Sequence, residues 1–312
     1  MAAPQLPSAS SQLPIFLAGP TAVGKSEIAF ALAEKIGGEI ISADSMQVYR
    51  GLDLGTAKPS PAERARVPHH LLDVCDLTEA FDAAQFIRRA EKAVAEIQSR
   101  HKTPIFCGGT GLYFKAFLEG LGEAPATSPE LRAELVATPF AALLHELRER
   151  DPAAYEKIDK QNPRRVIRAV EVIRLTGKKF SEQRAEWKAA SGKQQAEKFF
   201  CFTRSADDLH RRIHVRVEEM FRRGLVAETA QLLQHGLAEN IFAMQAIGYR
   251  QVVEHLRGEH SLAETIERVK IRTRQFAKRQ LTWFRRHGNC EWIELTPDEI
   301  AEEAMGKIIA QK

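Results

Sequence analysis

Gly19-Pro20-Thr21-Ala22-Val23-Gly24-Lys25-Ser26 meets every fixed position of the pattern G-x-x-x-x-G-K-[ST]. Such a loop turns its backbone N–H groups inward around phosphate oxygens, while the lysine adds a mobile cation and the hydroxyl of Ser26 can ligate Mg²⁺. Its surroundings decide the fold. The apolar run Leu13 to Ala18 predicts a strand before it, and Glu27 to Ile36 carries helical apolar spacing after it. This strand–loop–helix order is the context the motif requires, and the helix N-terminus adds positive potential for an anion. A group carrying a diphosphate is expected here; the loop alone does not say what that diphosphate belongs to.

Outward from the loop, the runs Pro14 to Ala18, Glu39 to Ala43 and Pro104 to Cys107 alternate with helical patterns at Glu27 to Ile36 and Ala83 to Gln98. Alternation of this kind predicts an α/β fold, a P-loop NTPase-like parallel sheet flanked by helices. Between 120 and 198 proline-marked loops separate amphipathic helical stretches and no strand pattern occurs, which predicts an all-helical insertion domain. The strand-like run Phe199 to Thr203 returns the chain to the sheet. Helices are then expected at Ala206 to Arg223, Leu225 to His235, Tyr249 to Leu256 and Leu262 to Arg286. The expected division is therefore a disordered tail over 1–13, a core domain of 14–119 and 199–312, and the helical insertion between them.

The chain has 312 residues, of which 44% are hydrophobic and 28% charged. That balance fits an ordinary globular protein, and no apolar run reaches membrane-spanning length. The opening residues lack a signal-peptide pattern, so a cytoplasmic protein is expected. Cys75, Cys107, Cys201 and Cys290 are far apart without metal-ligand spacing, and reduced thiols are expected.

The formal net charge of +4 is modest, but its distribution is uneven. Between Glu267 and Glu291 no acidic residue occurs, while Arg268, Lys270, Arg272, Arg274, Lys278, Arg279, Arg285 and Arg286 do. A second cluster of Lys160, Arg164, Arg165, Arg168, Arg174, Lys178 and Lys179 is interrupted only by Glu171. A solvated helix face normally mixes signs to form i,i+4 pairs; these blocks predict contact with a polyanion larger than a nucleotide.

Two further places could carry chemistry. Asp44 follows the second strand, at the edge where open α/β sheets build their sites, and could serve as a base or hold Mg²⁺. Cys107-Gly108-Gly109-Thr110-Gly111 reads either as a tight turn or as a close approach of backbone to ligand. Val67-Pro68-His69-His70 is best read as packing or loop hydrogen bonding. The third strand ends in glycines, where P-loop ATPases usually carry an acidic residue, so the hydrolytic machinery is missing.

Taken in order, the P-loop, Asp44-Ser45-Met46-Gln47-Val48-Tyr49, Gly55-Thr56-Ala57-Lys58-Pro59, Val67-Pro68-His69-His70, Gly108-Gly109-Thr110-Gly111-Leu112-Tyr113, Ile247-Gly248-Tyr249-Arg250-Gln251 and Arg274-Gln275-Phe276-Ala277-Lys278-Arg279-Gln280 closely resemble the bacterial tRNA dimethylallyltransferases. The resemblance runs from Pro14 to Trp292, and the zinc finger of the eukaryotic members is missing. It implies transfer of the dimethylallyl group from dimethylallyl diphosphate to N6 of adenine 37 in tRNA, by a monomer. It implies that Gly19, Pro20, Thr21, Ala22, Val23, Gly24, Lys25, Ser26 and Arg216 hold the diphosphate with Mg²⁺ at Ser26. It implies that Asp44, Thr21 and Arg216 are catalytic, Asp44 taking the proton from the amine. Contact with the tRNA anticodon stem-loop is implied for Asp44, Ser45, Met46, Gln47, Thr110, Arg132, Arg164, Arg165, Val166, Ile167, Arg168, Ala246, Ile247, Gly248, Tyr249, Arg250, Gln251, Arg274, Gln275, Lys278, Arg279 and Gln280. Arg212, one turn from Arg216, is the alternative partner for the diphosphate. A small-molecule P-loop kinase, an RNA-binding NTPase switch and an adenylate isopentenyltransferase are the competing readings.

Overall fold

A computed structural model describes residues 13–121, 125, 128–160, 162–182, 198–240 and 242–310. The expected tail, except for Leu13, falls outside these residues. In chain order the elements are β1 (Ile15–Ala18), α1 (Lys25–Ile36), β2 (Glu39–Ala43), α2 (Pro61–Arg66), β3 (His69–His70), α3 (Ala83–Ser99), β4 (Pro104–Gly108), α4 (Gly111–Glu119), α5 (Pro129–Ala137), α6 (Phe140–Arg150), α7 (Pro152–Lys157), α8 (Pro163–Thr176), β5 (Phe199–Thr203), α9 (Ala206–Arg222), α10 (Leu225–Leu233), α11 (Tyr249–Leu256), α12 (Leu262–His287), β6 (Glu291–Glu294) and α13 (Ala301–Ala310). The chain divides into two compact units, one of Met1–Phe117 with Gln195–Lys312 and one of Leu118–Gln194.

The first unit is built on a six-stranded sheet of order β3-β2-β4-β1-β5-β6. Every pairing is parallel. Strands β1, β2 and β4 are buried along their whole length. Uninterrupted apolar text such as Ile15-Phe16-Leu17-Ala18 is what a strand covered on both faces requires. Phe16 stacks on Phe106 across the β1–β4 pair with ring centroids 4.9 Å apart, and Phe114 stacks on Phe199 at 5.4 Å. Register matters most for the site. Ala18 and Ala43 both pair with Gly108, so the chain leaves β1, β2 and β4 at one level, sending Gly19, Asp44 and Gly109 out along the same edge. Among the described residues no helix is long and apolar enough to cross a membrane.

Long helices follow from local signals. Asp82 caps α3 through its carboxylate, which accepts the Gln85 N–H at 2.8 Å. Ser261 and Glu264 close a capping box at the head of α12, a helix of 26 residues. On α12 the three-and-four spacing of Ile266, Val269, Thr273, Phe276, Gln280 and Phe284 predicts one inward face; Val269, Thr273, Gln280 and Phe284 are buried, Ile266 and Phe276 are half-buried, and Ala277 is buried beside them.

The second unit, described by itself, packs α5 through α8 around Leu135, Leu143, Leu147, Val166, Ala169, Val170 and Ile173. Asp151 caps α7 and also accepts two hydrogen bonds from Ser181.

Five elements escaped the sequence reading: the helices α2 and α4, which carry no long amphipathic run, and three others. Strand β3 is only two residues long and shows no alternation; it forms because His69 and His70 pair with Ile40 and Ile41. Strand β6 and α13 lie beyond the last expected helix; β6 joins β5, and α13 packs on α1. The cysteine reading needs correction. Cys201 and Cys290 form a disulfide across 89 residues of chain, because the β5–β6 pairing sets Cys201 opposite Trp292 and so brings Cys290, two residues earlier, within 5.8 Å Cα–Cα. Cys75 and Cys107 are free, buried thiols.

Candidate active site

The P-loop is held from behind by the C-terminal part of the chain. Gly19 adopts φ +150°, and a Cβ there would stand 2.9 Å from the Phe202 carbonyl, so only glycine lets the loop leave β1 against β5. Ala22 takes φ 64°, a left-handed conformation uncommon for a residue with a side chain. Its carbonyl accepts a hydrogen bond from Arg212 Nε at 2.9 Å. The Val23 carbonyl accepts from the buried Arg204 Nε at 2.7 Å, and Arg204 is itself paired with Asp208 at 2.9 Å. Gly24, at φ 106°, then starts α1 with its free N–H groups facing the loop. Two arginines of the C-terminal part thus fix carbonyls that would repel a phosphate if they turned inward.

The loop opens on a cleft of about 500 Å³ lined by Thr21, Lys25, Ser26, Asp44, Gln47, Lys58, Arg212, Arg216 and Gln280. Lys25 Nζ donates to the Pro20 carbonyl at 3.2 Å, and neither Lys25 nor Arg216 is ion-paired with a carboxylate among the described residues. Burial pushes the pKa of Lys25 down, and the positive charge of Arg216 pushes it further. Burial lowers Arg216 as well, against the pull of Glu27 and Asp44. Two half-buried cations with no carboxylate paired to them among the described residues make this side of the cleft positive, an environment that favours an anion. Ser26 is exposed at the head of α1, where a hydroxyl can meet a phosphate-bound ion.

Asp44 faces this cleft from the end of β2, and its Oδ1 accepts the Met46 N–H at 2.8 Å, which sets the carboxylate's direction. Thr110 supports the same turn: its N–H donates to the Ala43 carbonyl at 3.1 Å and its Oγ1 accepts the Ser45 N–H at 3.1 Å. The glycines before and after Thr110 are there for packing. A Cβ on Gly108 would fall 2.1 Å from the Ala43 carbonyl oxygen, one on Gly109 2.1 Å from Gln280 Nε2, and one on Gly111 2.1 Å from Trp283. Gln47 Oε1 accepts from Ser42 Oγ at 2.8 Å while its Nε2 donates to the Thr56 carbonyl at 3.1 Å, tying the strand end to the loop that carries Lys58.

Several residues implicated by resemblance are interior. Tyr249 is fully buried, donating from its hydroxyl to Glu228 and receiving the Gly55 N–H at 3.0 Å. Gln251 accepts the Gly248 N–H at 2.9 Å; Ala246 and Gly248 are buried, and Ile247 is partly buried. Gln280 is 6% exposed, and Arg274 donates to His214 Nε2 at 2.6 Å. Arg250, Gln275, Lys278 and Arg279 are exposed. In the helical unit Val166 belongs to the core and Ile167 packs against it. Arg132 and Arg168 both bond the buried Glu171, at 2.6 Å each, while Arg165 is exposed and the Arg164 side chain lies outside the described residues. Sequence reasoning missed Arg204, Lys58 and Glu228; Arg204 in particular follows a strand with no motif around it, and only β5's place beside β1 reveals its role.

A parallel sheet with a phosphate loop at the end of β1, a carboxylate across the cleft and no acidic end to β4 defines a group-transfer P-loop protein. The chain belongs to the IPP transferase family, whose sequence profile matches residues 47–287. It is 46% identical over 288 residues to the tRNA dimethylallyltransferase of Geobacter sulfurreducens, covering 90% of this chain and 91% of that one. It is 45% identical over 289 residues to the tRNA dimethylallyltransferase of Halorhodospira halophila, covering 91% and 93%. Among solved structures, the full-length tRNA isopentenylpyrophosphate transferase of Bacillus halodurans superposes with a TM-score of 0.68 at 37% identity over 97% of both chains. A eukaryotic dimethylallyltransferase acting on tRNA superposes at 0.76 with 28% identity, covering 97% of this chain and 80% of that one.

Proposed function

We propose that the protein transfers the dimethylallyl group from dimethylallyl diphosphate to N6 of adenine 37 in tRNA, releasing diphosphate. The observation that carries this reading is the pair of unneutralised cations, Lys25 and Arg216, in the same cleft as Asp44. The diphosphate lies in the P-loop between them, and its charge grows as the allylic C–O bond breaks. Fixed cations and loop amides stabilise that charge without having to reorganise. The adenine amine is a weak nucleophile because its lone pair is delocalised into the ring. Asp44 accepts an N6 proton as the new C–N bond forms, which raises the amine's reactivity. A base stacked in an anticodon loop cannot reach such a cleft, so it must be extruded, at a cost that is least in a single-stranded loop.

The residues present fit Mg²⁺ at Ser26: one hydroxyl beside a diphosphate site is the sparse protein contribution this ion accepts. When bound, the ion supplies further positive charge to the leaving group. Thr21 and Arg216 act on the diphosphate, and Arg212 acts through the loop carbonyl it holds. The RNA-facing surface comprises the exposed Arg250, Lys278 and Arg279, together with Arg268 and Arg272 on the same unit. The buried Tyr249, Gln251 and Val166 shape that surface from beneath.

Incubation with labelled dimethylallyl diphosphate, unmodified tRNA, AMP and ATP tests the proposal. Label is expected in tRNA alone; label in AMP, or hydrolysis of ATP instead, overturns it. Asp44→Ala is expected to bind tRNA normally while losing orders of magnitude in turnover. Single-turnover rates near wild type would remove Asp44 from the role of base.

A further inference from the structure

Gln280 projects from the buried face of α12 into the space between the two loops of the site. Its Oε1 accepts the Thr21 N–H at 2.8 Å, and its Nε2 donates to the Gly109 carbonyl at 2.9 Å. Both bonds fix the carboxamide's orientation, because the reversed amide would set donor against donor and acceptor against acceptor. Gly109 exists to admit it, since a Cβ there would stand 2.1 Å from Nε2. One end of this strut is the loop that faces the cleft beside Lys25. The other is the residue before Thr110, whose hydroxyl oxygen accepts the Ser45 N–H next to Asp44. The preceding residue, Arg279, points outward and is exposed.

We propose that Gln280 is a positioning residue for the transfer rather than an RNA contact. It fixes the spacing between the loop that holds the leaving diphosphate and the turn that supports Asp44. That spacing sets the line along which amine, allylic carbon and departing oxygen must fall. Loss of the strut leaves the half-buried Thr21 N–H and the buried Gly109 carbonyl without these partners, and each loop relaxes to find new ones. A misplacement of about 1 Å in such a reaction costs on the order of 10²-fold in rate. The effect therefore falls on kcat and on the diphosphate, leaving RNA affinity in place.

The kinetic part rests on the prenyl-transfer reading; the binding part does not. The experiment compares wild type with Gln280→Met, Gln280→Glu, Gly109→Ala and the double variant Gly109→Ala/Gln280→Met. Readouts are steady-state kinetics with dimethylallyl diphosphate and tRNA, RNA affinity, and calorimetric affinity for inorganic pyrophosphate. Gln280→Met is expected to lower kcat by about 30- to 100-fold. It should also weaken pyrophosphate binding by about tenfold, with RNA affinity within about twofold of wild type. Gln280→Glu should recover relative to wild type as pH falls, because a protonated carboxyl again donates to Gly109 while accepting from Thr21. The double variant should be no slower than the worse single one, since both single changes remove the same strut. Gln280→Met that keeps kcat and loses RNA affinity overturns the proposal, as does unchanged pyrophosphate binding. Should wild type transfer no prenyl group, the function is wrong, and the pyrophosphate comparison still decides whether Gln280 shapes the loop.

Discussion

The two basic stretches look alike as text and behave differently in the structure. In the helical unit, Arg168 and Arg132 meet in Glu171, which is wholly buried, and Arg174 is held by Glu146 at 2.7 Å and Glu134 at 2.6 Å. Lys160 and Lys179 also lie near carboxylates, Glu156 and Glu182. On α12, Lys270 is neutralised by Glu218 and Glu267, and Arg274 is engaged by His214. Arg268, Arg272, Lys278, Arg279, Arg285 and Arg286 remain exposed with no carboxylate paired to them among the described residues. A run of positive charge stays available to an outside anion where no carboxylate pairs with it. The first stretch is chiefly the ionic framework of a small helical core, whereas the second leaves six exposed cations without a paired carboxylate among the described residues.

That contrast can be broken most severely at Glu171. Removing one buried carboxylate that serves two arginines leaves both without their partner, and such losses reach about 3–5 kcal/mol when every group is buried. Arg132 and Arg168 are 25% and 27% exposed, so solvent offsets part of the cost. Glu171→Ala is expected to destabilise the helical unit by about 2–3 kcal/mol. Limited proteolysis should show new cleavage between 118 and 194 while the rest of the chain stays intact. Wild-type resistance would mean the charges there are not structural.

The opposite result is expected on α12. Replacing Arg268, Arg272 and Arg279 by Ala removes exposed guanidiniums that line one groove with Arg250. Folding stability should stay within about 0.5 kcal/mol, because only weak exposed contacts are lost, the Arg272–Gln275 hydrogen bond and the stacking of Arg279 on Phe276. Affinity for tRNA should fall by about thirtyfold at physiological salt, ~2 kcal/mol. The slope of log affinity against log salt should also flatten, by about 0.7–0.9 for each phosphate that is no longer neutralised. A fall in affinity with an unchanged slope would assign these arginines to something other than phosphates.

The same contrast explains how far the sequence could be read. The parallel sheet, the P-loop and the long C-terminal helix were legible because each depends on neighbours within a few residues: apolar runs, glycine spacing, a three-and-four period. Asp44 was legible because the end of a strand is a local fact. Compensation of charge was not. Glu171 is the only carboxylate inside the first stretch, and Glu134 and Glu146 come from α5 and α6, well upstream in the chain. The interior role of Tyr249 and the two hydrogen-bond partners of Gln280 were hidden for the same reason. Each carries a polar group that a motif assigns to ligand, yet each bonds backbone more than a hundred residues away, at Gly55 and at Thr21. The Cys201–Cys290 disulfide likewise depends on β5 and β6 pairing across an interval that no spacing rule spans.

The gentlest test of the comparison uses acid. Arg174 donates two hydrogen bonds to Glu146, and these outweigh burial to hold its carboxyl below the usual glutamate value. A depressed carboxylate pKa contributes stability that is present above the unfolded value, near 4.3, and is lost as pH falls through the folded value. Glu146→Gln is therefore expected to lower stability by about 1 kcal/mol at neutral pH, the size of a partly exposed ion pair. The gap between variant and wild type should close as pH falls below the unfolded glutamate value and through the lower folded one, where the wild-type carboxyl also becomes neutral. The arginine-to-alanine changes on α12 should show far less convergence, because no carboxylate there loses an ion pair and only the exposed Glu264 feels the charge of Arg268. Thermal unfolding midpoints of the full chain across that pH range read both. A Glu146→Gln gap that persists in acid would mean that Arg174 is held by shape and hydrogen bonding rather than charge, and would narrow the difference between the two basic stretches to the Glu171 pair.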